Sequence, residues 1–118
     1  MSFSSTGIGS IAEDAAEEFL FSKGHEIITR NWKTKWCEID IISIKDEVLY
    51  FTEVKYRKNN RSGGGIEAIT KKKENQMRFA AKFYLESNEF DEKTDAILSV
   101  ISLTGNPPVV ETYIQNIN

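Results

Sequence analysis

Four charged side chains interrupt two strongly apolar runs of the sequence. Glu38 and Asp40 alternate with isoleucines, and Glu53 and Lys55 follow the apolar run that starts at residue 48. Side chains alternate between the two faces of a β-strand, so Glu38 is expected to share a face with Asp40, and Glu53 with Lys55. Charges are costly to bury without partners, and a bound cation is one way to stabilise such a group.

These carboxylates and the ammonium suit phosphodiester hydrolysis. Asp40 and Glu53 are expected to share a Mg²⁺ or Mn²⁺ ion, because magnesium usually takes one or two carboxylates together with waters and phosphate oxygens. Such an ion lowers the pKa of a bound water and neutralises charge on a phosphate. Lys55 is expected to position the water or stabilise the transition state, and Lys73 to contact the scissile phosphate. The alternative is a surface hairpin in which Asp40 and Lys55 form an ordinary salt bridge.

The hydrophobic pattern predicts an α/β fold with the element order α-β-β-β-α-β-β. Helices are predicted over residues 8–23 and 66–87, and strands over 25–32, 36–44, 48–57, 95–103 and 109–114. Three antiparallel strands, a crossover helix and a returning strand give a mixed sheet of about five strands with helices packed on it. The strand at 95–103 lacks alternation and is expected to be covered on both faces, whereas 109–114 is expected to form an edge.

Each predicted helix carries one charged residue on or beside its apolar stripe. The first stripe contains Ile8, Ile11, Ala12, Ala15, Ala16, Phe19 and Leu20, with Gly24 as the C-terminal cap. Glu13 lies at the edge of this stripe, and its spacing from Ser10 also fits a capping box, an alternative to a catalytic role. The second stripe contains Ile66, Ile69, Met77, Ala80, Phe83 and Tyr84. Lys73 falls on this second stripe. The alternative is that its amine extends past the end of the helix into solvent.

Length and composition predict one domain over residues 1–118, with an ordinary globular content of 40% hydrophobic and 28% charged residues. A single cysteine, Cys37, permits no intrachain disulfide, and together with one histidine it does not supply the four ligands of a structural zinc site. His25 is interpreted as a packing residue. The sequence shows neither a signal peptide nor an apolar run of about 20 residues, so a cytoplasmic location is expected.

Basic residues are concentrated in the middle of the chain, although the net charge is −3. Residues 55–82 hold nine basic residues against two acidic ones. The candidates for sequence-independent contacts with a nucleic-acid backbone are Arg57, Lys58, Arg61, Lys72 and Arg78. The alternative is an ordinary solvated helix face. Trp32 and Trp36 flank a turn, where they either stack on bases or form the edge of the core.

Several short motifs are similar to those of one known family. Residues 37–42, Cys-Glu-Ile-Asp-Ile-Ile, resemble Gly-Glu-Ile-Asp-Leu-Ile, and residues 49–55, Leu-Tyr-Phe-Thr-Glu-Val-Lys, resemble Leu-Val-Phe-Val-Glu-Val-Lys. Residues 28–32, Ile-Thr-Arg-Asn-Trp, match a third motif, and residues 9–16 and 67–73 are similar to two more. These motifs belong to the YraN-like family of uncharacterised proteins, UPF0102, and the resemblance covers most of the chain.

The resemblance implies a restriction-endonuclease-like core of the PD-(D/E)xK nuclease type, near archaeal Holliday-junction resolvases. It implies that Asp40, Glu53 and Lys55 are the signature residues, that Glu13 is a further metal ligand, and that the substrate is branched or structured DNA. Resolvases act as dimers, so it also implies a homodimer. Cys37 and Ala12 replace family glycines. Cys37 and the acidic first helix favour the alternative of a non-catalytic nucleic-acid-binding or assembly module with a degraded site. A purely structural interaction domain is a third alternative, which the charges among apolar residues disfavour.

Overall fold

Two helices and five strands follow one another in the predicted order α-β-β-β-α-β-β. The computed structural model describes residues 7–58, 69–90 and 93–117. The elements are α1 (Gly7–Ser22), β1 (Glu26–Lys33), β2 (Glu38–Lys45), β3 (Val48–Arg57), α2 (Lys71–Ser87), β4 (Ala96–Thr104) and β5 (Val109–Ile114). Within the described ranges, neither helix is long and apolar enough to cross a membrane.

The strands form one mixed sheet in the order β1-β2-β3-β4-β5. The first three strands are antiparallel, β4 returns parallel to β3 after the α2 crossover, and β5 pairs antiparallel at the edge. A two-residue turn, Asp46-Glu47, joins β2 to β3 with φ angles of 51° and 66°, the left-handed backbone that suits a tight hairpin. The predicted α/β class, a five-stranded mixed sheet flanked by helices in the order α-β-β-β-α-β-β, is confirmed.

Each helix covers one face of the sheet. On the α1 side the buried cluster contains Ala16, Leu20, Ile41, Ile101 and Leu103. On the α2 side it contains Ile39, Ile42, Leu49, Phe51, Met77, Ala80, Ala81, Tyr84 and Leu98. Six consecutive residues of β4 are buried, which confirms the prediction that this strand is covered on both faces.

The first helix buries most of its predicted stripe, including Ala12, Ala16 and Leu20, but the buried face is shifted at its edge. Ile11 is 49% exposed, whereas Glu13 is 4% exposed, so the buried face is rotated toward Glu13. The capping-box interpretation is wrong, because the helix begins at Gly7 and Ser10 lies inside it. Gly24 ends the helix as predicted, with φ of 96° and a hydrogen bond from the following backbone N–H, of His25, to the Leu20 carbonyl.

The second helix is shorter than predicted and starts at Lys71. Thr70 is its N-cap, and the Thr70 hydroxyl accepts a 3.0 Å hydrogen bond from the backbone N–H of Lys73. Residues 66–68 lie outside the described ranges, and Ile69 precedes the helix. The buried positions are Met77, Ala80, Ala81 and Tyr84. Phe83 is therefore rotated away from the core and is 44% exposed, contrary to the prediction.

Candidate active site at the end of the β2–β3 pairing

The candidate site lies where β2 and β3 cease to pair. Their last paired residues at this end are Ile41 and Thr52, and the next residues of the two strands are Asp40 and Glu53. The backbone N–H of Val54 donates a 2.8 Å hydrogen bond to Oδ2 of Asp40. An open cleft of about 470 Å³ lies here, lined by residues 53–57.

Side-chain alternation breaks just before this point in β2. Ile41 packs in the cluster under α1, whereas Ile39 packs in the cluster under α2. Ile39 and Ile41, although two residues apart, therefore point to opposite faces of the sheet. The segment before Ile41 no longer pairs with β3, so its side chains are not held to the two faces of that ladder.

Negative charge accumulates around Asp40. Burial and, after it, the negative charge of Glu53 raise the pKa of the Asp40 carboxyl to about 8, although the hydrogen bond from Val54 opposes both. The charges of Glu13 and Glu38 also raise it. Among the described residues, Glu38 Oε2 is buried without a hydrogen-bond partner. A cation at this position would relieve both the desolvation and the repulsion.

Two lysines lie close to Glu53. The ammonium Nζ of Lys73 lies 3.6 Å from Oε1 of Glu53 and is only partly exposed, so the helix stripe did place this lysine inward. Lys55 is half-buried and lines the cleft two residues after Glu53, which puts both on one face of β3. The structure thus brings Asp40, Glu53, Lys55 and Lys73 to one place.

Glu13 lies close to this group but is held by other partners. Its Oε1 accepts a 3.1 Å hydrogen bond from the Asn31 amide and lies 3.4 Å from the Arg30 guanidinium. Among the described residues, no three Asp, Glu, His or Cys side chains converge closely enough to hold a metal ion. The structure therefore does not assemble Glu13, Asp40 and Glu53 into one ligand set.

The residues that hold Glu13 were not identified as site residues from the sequence. Arg30 also binds Asp14 at 2.7 Å and Glu17 at 3.2 Å. Burial opposes its charged form, but these hydrogen bonds outweigh burial and raise the pKa of Arg30. Asn31 has a left-handed backbone with φ of 54°, a conformation that asparagine tolerates better than most residues. The sequence feature that could have identified Arg30 and Asn31 is the Arg-Asn-Trp motif at residues 30–32.

The predicted nucleic-acid contacts within the described residues come from two places, the end of β3 and α2. Lys58 and Lys72 are exposed, Arg57 is half-buried at the end of β3, and Arg61 lies outside the described residues. Arg78 is ion-paired with Glu74. At 3.6 residues per turn, Lys72 and Arg78 point about 120° apart around the helix.

Three other residues singled out from the sequence lie near the site or in the core. Cys37 packs against the α2-side cluster. Burial raises the pKa of its thiol, and the charges of Asp40, Glu53 and Lys73 also act on that pKa, so Cys37 lies beside the carboxylates. His25 is buried, with Nδ1 2.9 Å from the Ser43 hydroxyl, which confirms a packing role. Trp32 packs at the edge of the α2-side core.

Fold and site together define an α/β protein with a buried carboxylate group at the open end of a central hairpin. The chain belongs to the uncharacterised protein family UPF0102, whose model matches residues 12–100. A UPF0102 protein of Colwellia psychrerythraea is 36% identical over 104 residues, covering 87% of this chain and 81% of that protein. Another, from Neisseria gonorrhoeae, is 37% identical over 112 residues, covering 92% of both chains. One from Clostridium novyi is 45% identical over 82 residues, covering 70% and 68%.

Proposed function

We propose that this protein is a metal-dependent endonuclease that hydrolyses phosphodiester bonds of branched or structured DNA. One observation carries the proposal: the partly buried Asp40 carboxyl lies close enough to Glu53 and Glu38 for their negative charges to raise its pKa, and the buried Oε2 of Glu38 has no hydrogen-bond partner among the described residues. An ordinary surface salt bridge does not account for this group, because Asp40 is partly buried among other carboxylates and its pKa is raised to about 8.

The donor set fits Mg²⁺ or Mn²⁺. Both are hard cations that prefer carboxylate oxygens, and magnesium needs one or two of them when waters and phosphate oxygens complete its shell. Asp40 and Glu53 would hold the ion, and the ion would supply charge neutralisation and a more acidic water. The pair is sufficient for this ion, so the absence of a three-ligand cluster among the described residues does not argue against it.

The lysines supply the positive charge that hydrolysis needs on the cleft side. Lys55 orients the attacking water or stabilises the negative charge of the transition state. Lys73 is anchored by the capped first turn of α2 and holds Glu53 at 3.6 Å. When a phosphate enters the cleft, the Lys73 ammonium can exchange this contact for a phosphate oxygen. Arg57 and Lys58, at the C-terminal end of β3, would contact backbone phosphates of the DNA beyond the scissile bond.

A second function is supported by the contacts of the acidic side chains. Glu13 is engaged by Asn31 and Arg30, and Glu53 is engaged by Lys73. Carboxylates that are already paired are also what a non-catalytic nucleic-acid-binding module with a degraded site would show. This alternative keeps the fold and the basic residues but needs neither metal binding nor cleavage.

Metal binding and cleavage measured together separate the two functions. The full chain, stripped with EDTA, is titrated with Mg²⁺ and Mn²⁺ by calorimetry and incubated with a four-way junction, a flap and a linear duplex. The nuclease cleaves at least one substrate in the presence of metal. Asp40→Asn, Glu53→Gln and Lys55→Ala abolish cleavage. Asp46→Asn, the same change in the exposed β2–β3 turn, leaves it intact. A wild-type protein that neither binds metal nor cuts DNA would refute the proposal.

A further inference from the structure

An exposed group of aromatic rings lies along α2 beside the candidate site. Trp36 stacks near Phe79 with ring centroids 6.3 Å apart and meets Phe83 edge-on at 5.4 Å. Trp32 lies behind Phe83, with centroids 6.2 Å apart. Phe79 is 57% exposed and Phe83 is 44% exposed, so neither ring serves the core. We call Trp36, Phe79 and Phe83 the aromatic platform.

The aromatic platform is bordered by cations. The ammonium of Lys35 lies 5.2 Å from the centroid of the Trp36 ring. Lys72 is exposed seven residues before Phe79, two turns away on the same stripe of the helix, and the exposed Lys82 lies one turn after Phe79. Glu86 is the acidic residue at the far end of this stripe. Flat apolar faces flanked by ammonium groups match an unpaired base and its neighbouring phosphates.

The platform is also continuous with the candidate site. Lys73, which contacts Glu53, lies six residues before Phe79, a rise of about 9 Å along the helix axis. On the β1–β2 connection, Trp36 is followed directly by Cys37, whose thiol lies close enough to the Asp40 and Glu53 carboxylates for their charges to raise its pKa. Lys73 and Phe79 point about 120° apart around α2, so a strand that leads from Lys73 to Phe79 passes partly around the helix, whereas Trp36 adjoins the site through Cys37.

We infer that the aromatic platform binds unpaired bases of a single-stranded segment that leads into the candidate site. The inference rests on the proposed function and deepens it, because it assigns the substrate a single-stranded portion. Stacking tolerates any base sequence, since every base has a π face. Paired bases inside a duplex are stacked on each other and are not available to these rings.

The inference is tested by binding without cleavage. The full chain, in EDTA, is titrated against a fluorescein-labelled single-stranded DNA and against the duplex of the same sequence, with anisotropy as the readout. Trp36→Ala and Phe79→Leu each lower affinity for the single strand about tenfold and change duplex affinity less than twofold. Phe79→Tyr, which keeps the ring, binds like the wild type. The control is Phe21→Ala, which removes a 73%-exposed ring from α1 and leaves both affinities unchanged.

Three outcomes overturn the inference: equal loss on single strand and duplex, no loss in either platform variant, or a wild-type dimer that Phe79→Leu converts to a monomer in sedimentation velocity. The last would show that a second copy covers the platform. Failure of the proposed nuclease function can be distinguished from failure of this inference. Asp40→Asn keeps single-strand binding if the platform is correct, whether or not the wild type cleaves DNA.

Discussion

The backbone N–H of Val54 donates a 2.8 Å hydrogen bond to Oδ2 of Asp40 across the open end of the β2–β3 hairpin. A hydrogen bond to a carboxylate favours its ionised form. Burial and the nearby charge of Glu53 outweigh this bond, because the pKa of Asp40 is raised to about 8. In metal-free protein the carboxyl is therefore protonated below about pH 8.

The raised pKa makes metal-free protein less stable as pH rises. An unfolded aspartate titrates near pH 4, so between about pH 4 and 8 the folded state binds one more proton than the unfolded state. The free energy of unfolding then falls by up to about 1.4 kcal/mol per pH unit from this group. Asp40→Asn removes that slope and keeps an oxygen for the Val54 N–H. Urea unfolding in EDTA at several pH values between 5 and 8 measures this slope.

Only the difference in pH dependence of unfolding between Asp40→Asn and wild type isolates the contribution of Asp40. His25, whose pKa is lowered by burial and by Lys45, adds a slope of opposite sign below about pH 6.5 in both proteins. Asp46→Asn, in the exposed turn, should keep the wild-type slope. Parallel curves for wild type and Asp40→Asn would show that Asp40 does not titrate in this range.

Most helices and strands could be predicted from local sequence patterns, because tertiary contacts did not change the structure that those patterns favour. The predicted strands at 48–57 and 109–114 have the observed bounds, because apolar β-branched runs and turn residues mark both ends. The second helix was predicted five residues too early. Ile66 and Ile69 extended its apolar stripe, but Thr70 caps the backbone at Lys73 and fixes the start at Lys71.

The site was predictable where strand geometry determines it. The proximity of Asp40 and Glu53 followed from the hairpin that joins their strands, and the inward position of Lys73 followed from helical spacing. The burial of Glu13 was not predictable, because it depends on Asn31 and Arg30, which reach it from β1 more than 15 residues away in the chain. The aromatic platform was missed for a similar reason. Phe79 and Phe83 come near Trp36 only when α2 crosses the sheet.

Lys73 should matter for cleavage far more than for stability. Lys73→Met keeps the apolar stem and removes the charge, and we expect cleavage to fall about 100-fold, the effect of losing one transition-state donor. Its partly exposed ion pair with Glu53 contributes under about 1 kcal/mol to stability, so the free energy of unfolding measured with urea should fall by less than that. Lys73→Arg should restore part of the rate. Lys23→Met, at an exposed lysine after α1, should leave the rate unchanged. Equal rates for Lys73→Met and wild type would remove this lysine from the mechanism.

Asn31 should stabilise the protein through both its amide and its backbone. Asn31→Ala removes the donor to buried Glu13 and places alanine at φ of 54°, so we expect a loss of roughly 2–4 kcal/mol in the free energy of unfolding. Asn31→Gly removes the same donor but accepts this φ, and should recover about 1 kcal/mol of that loss. Urea denaturation compares the two. Equal stabilities would exclude the backbone contribution.

Cys37 can report the charge of the candidate site without any substrate. Burial is the main cause of its raised pKa, the charges of Glu53 and Asp40 raise it further, and Lys73 lowers it. Since the thiolate is the reactive form, the pH midpoint for modification by a disulfide reagent should lie above that of an ordinary cysteine. Asp40→Asn should move this midpoint down, and Lys73→Met should move it up. A variant that merely loosens the structure would expose the thiol and move the midpoint down in both cases, so shifts of opposite sign identify electrostatic coupling between Cys37 and these two residues.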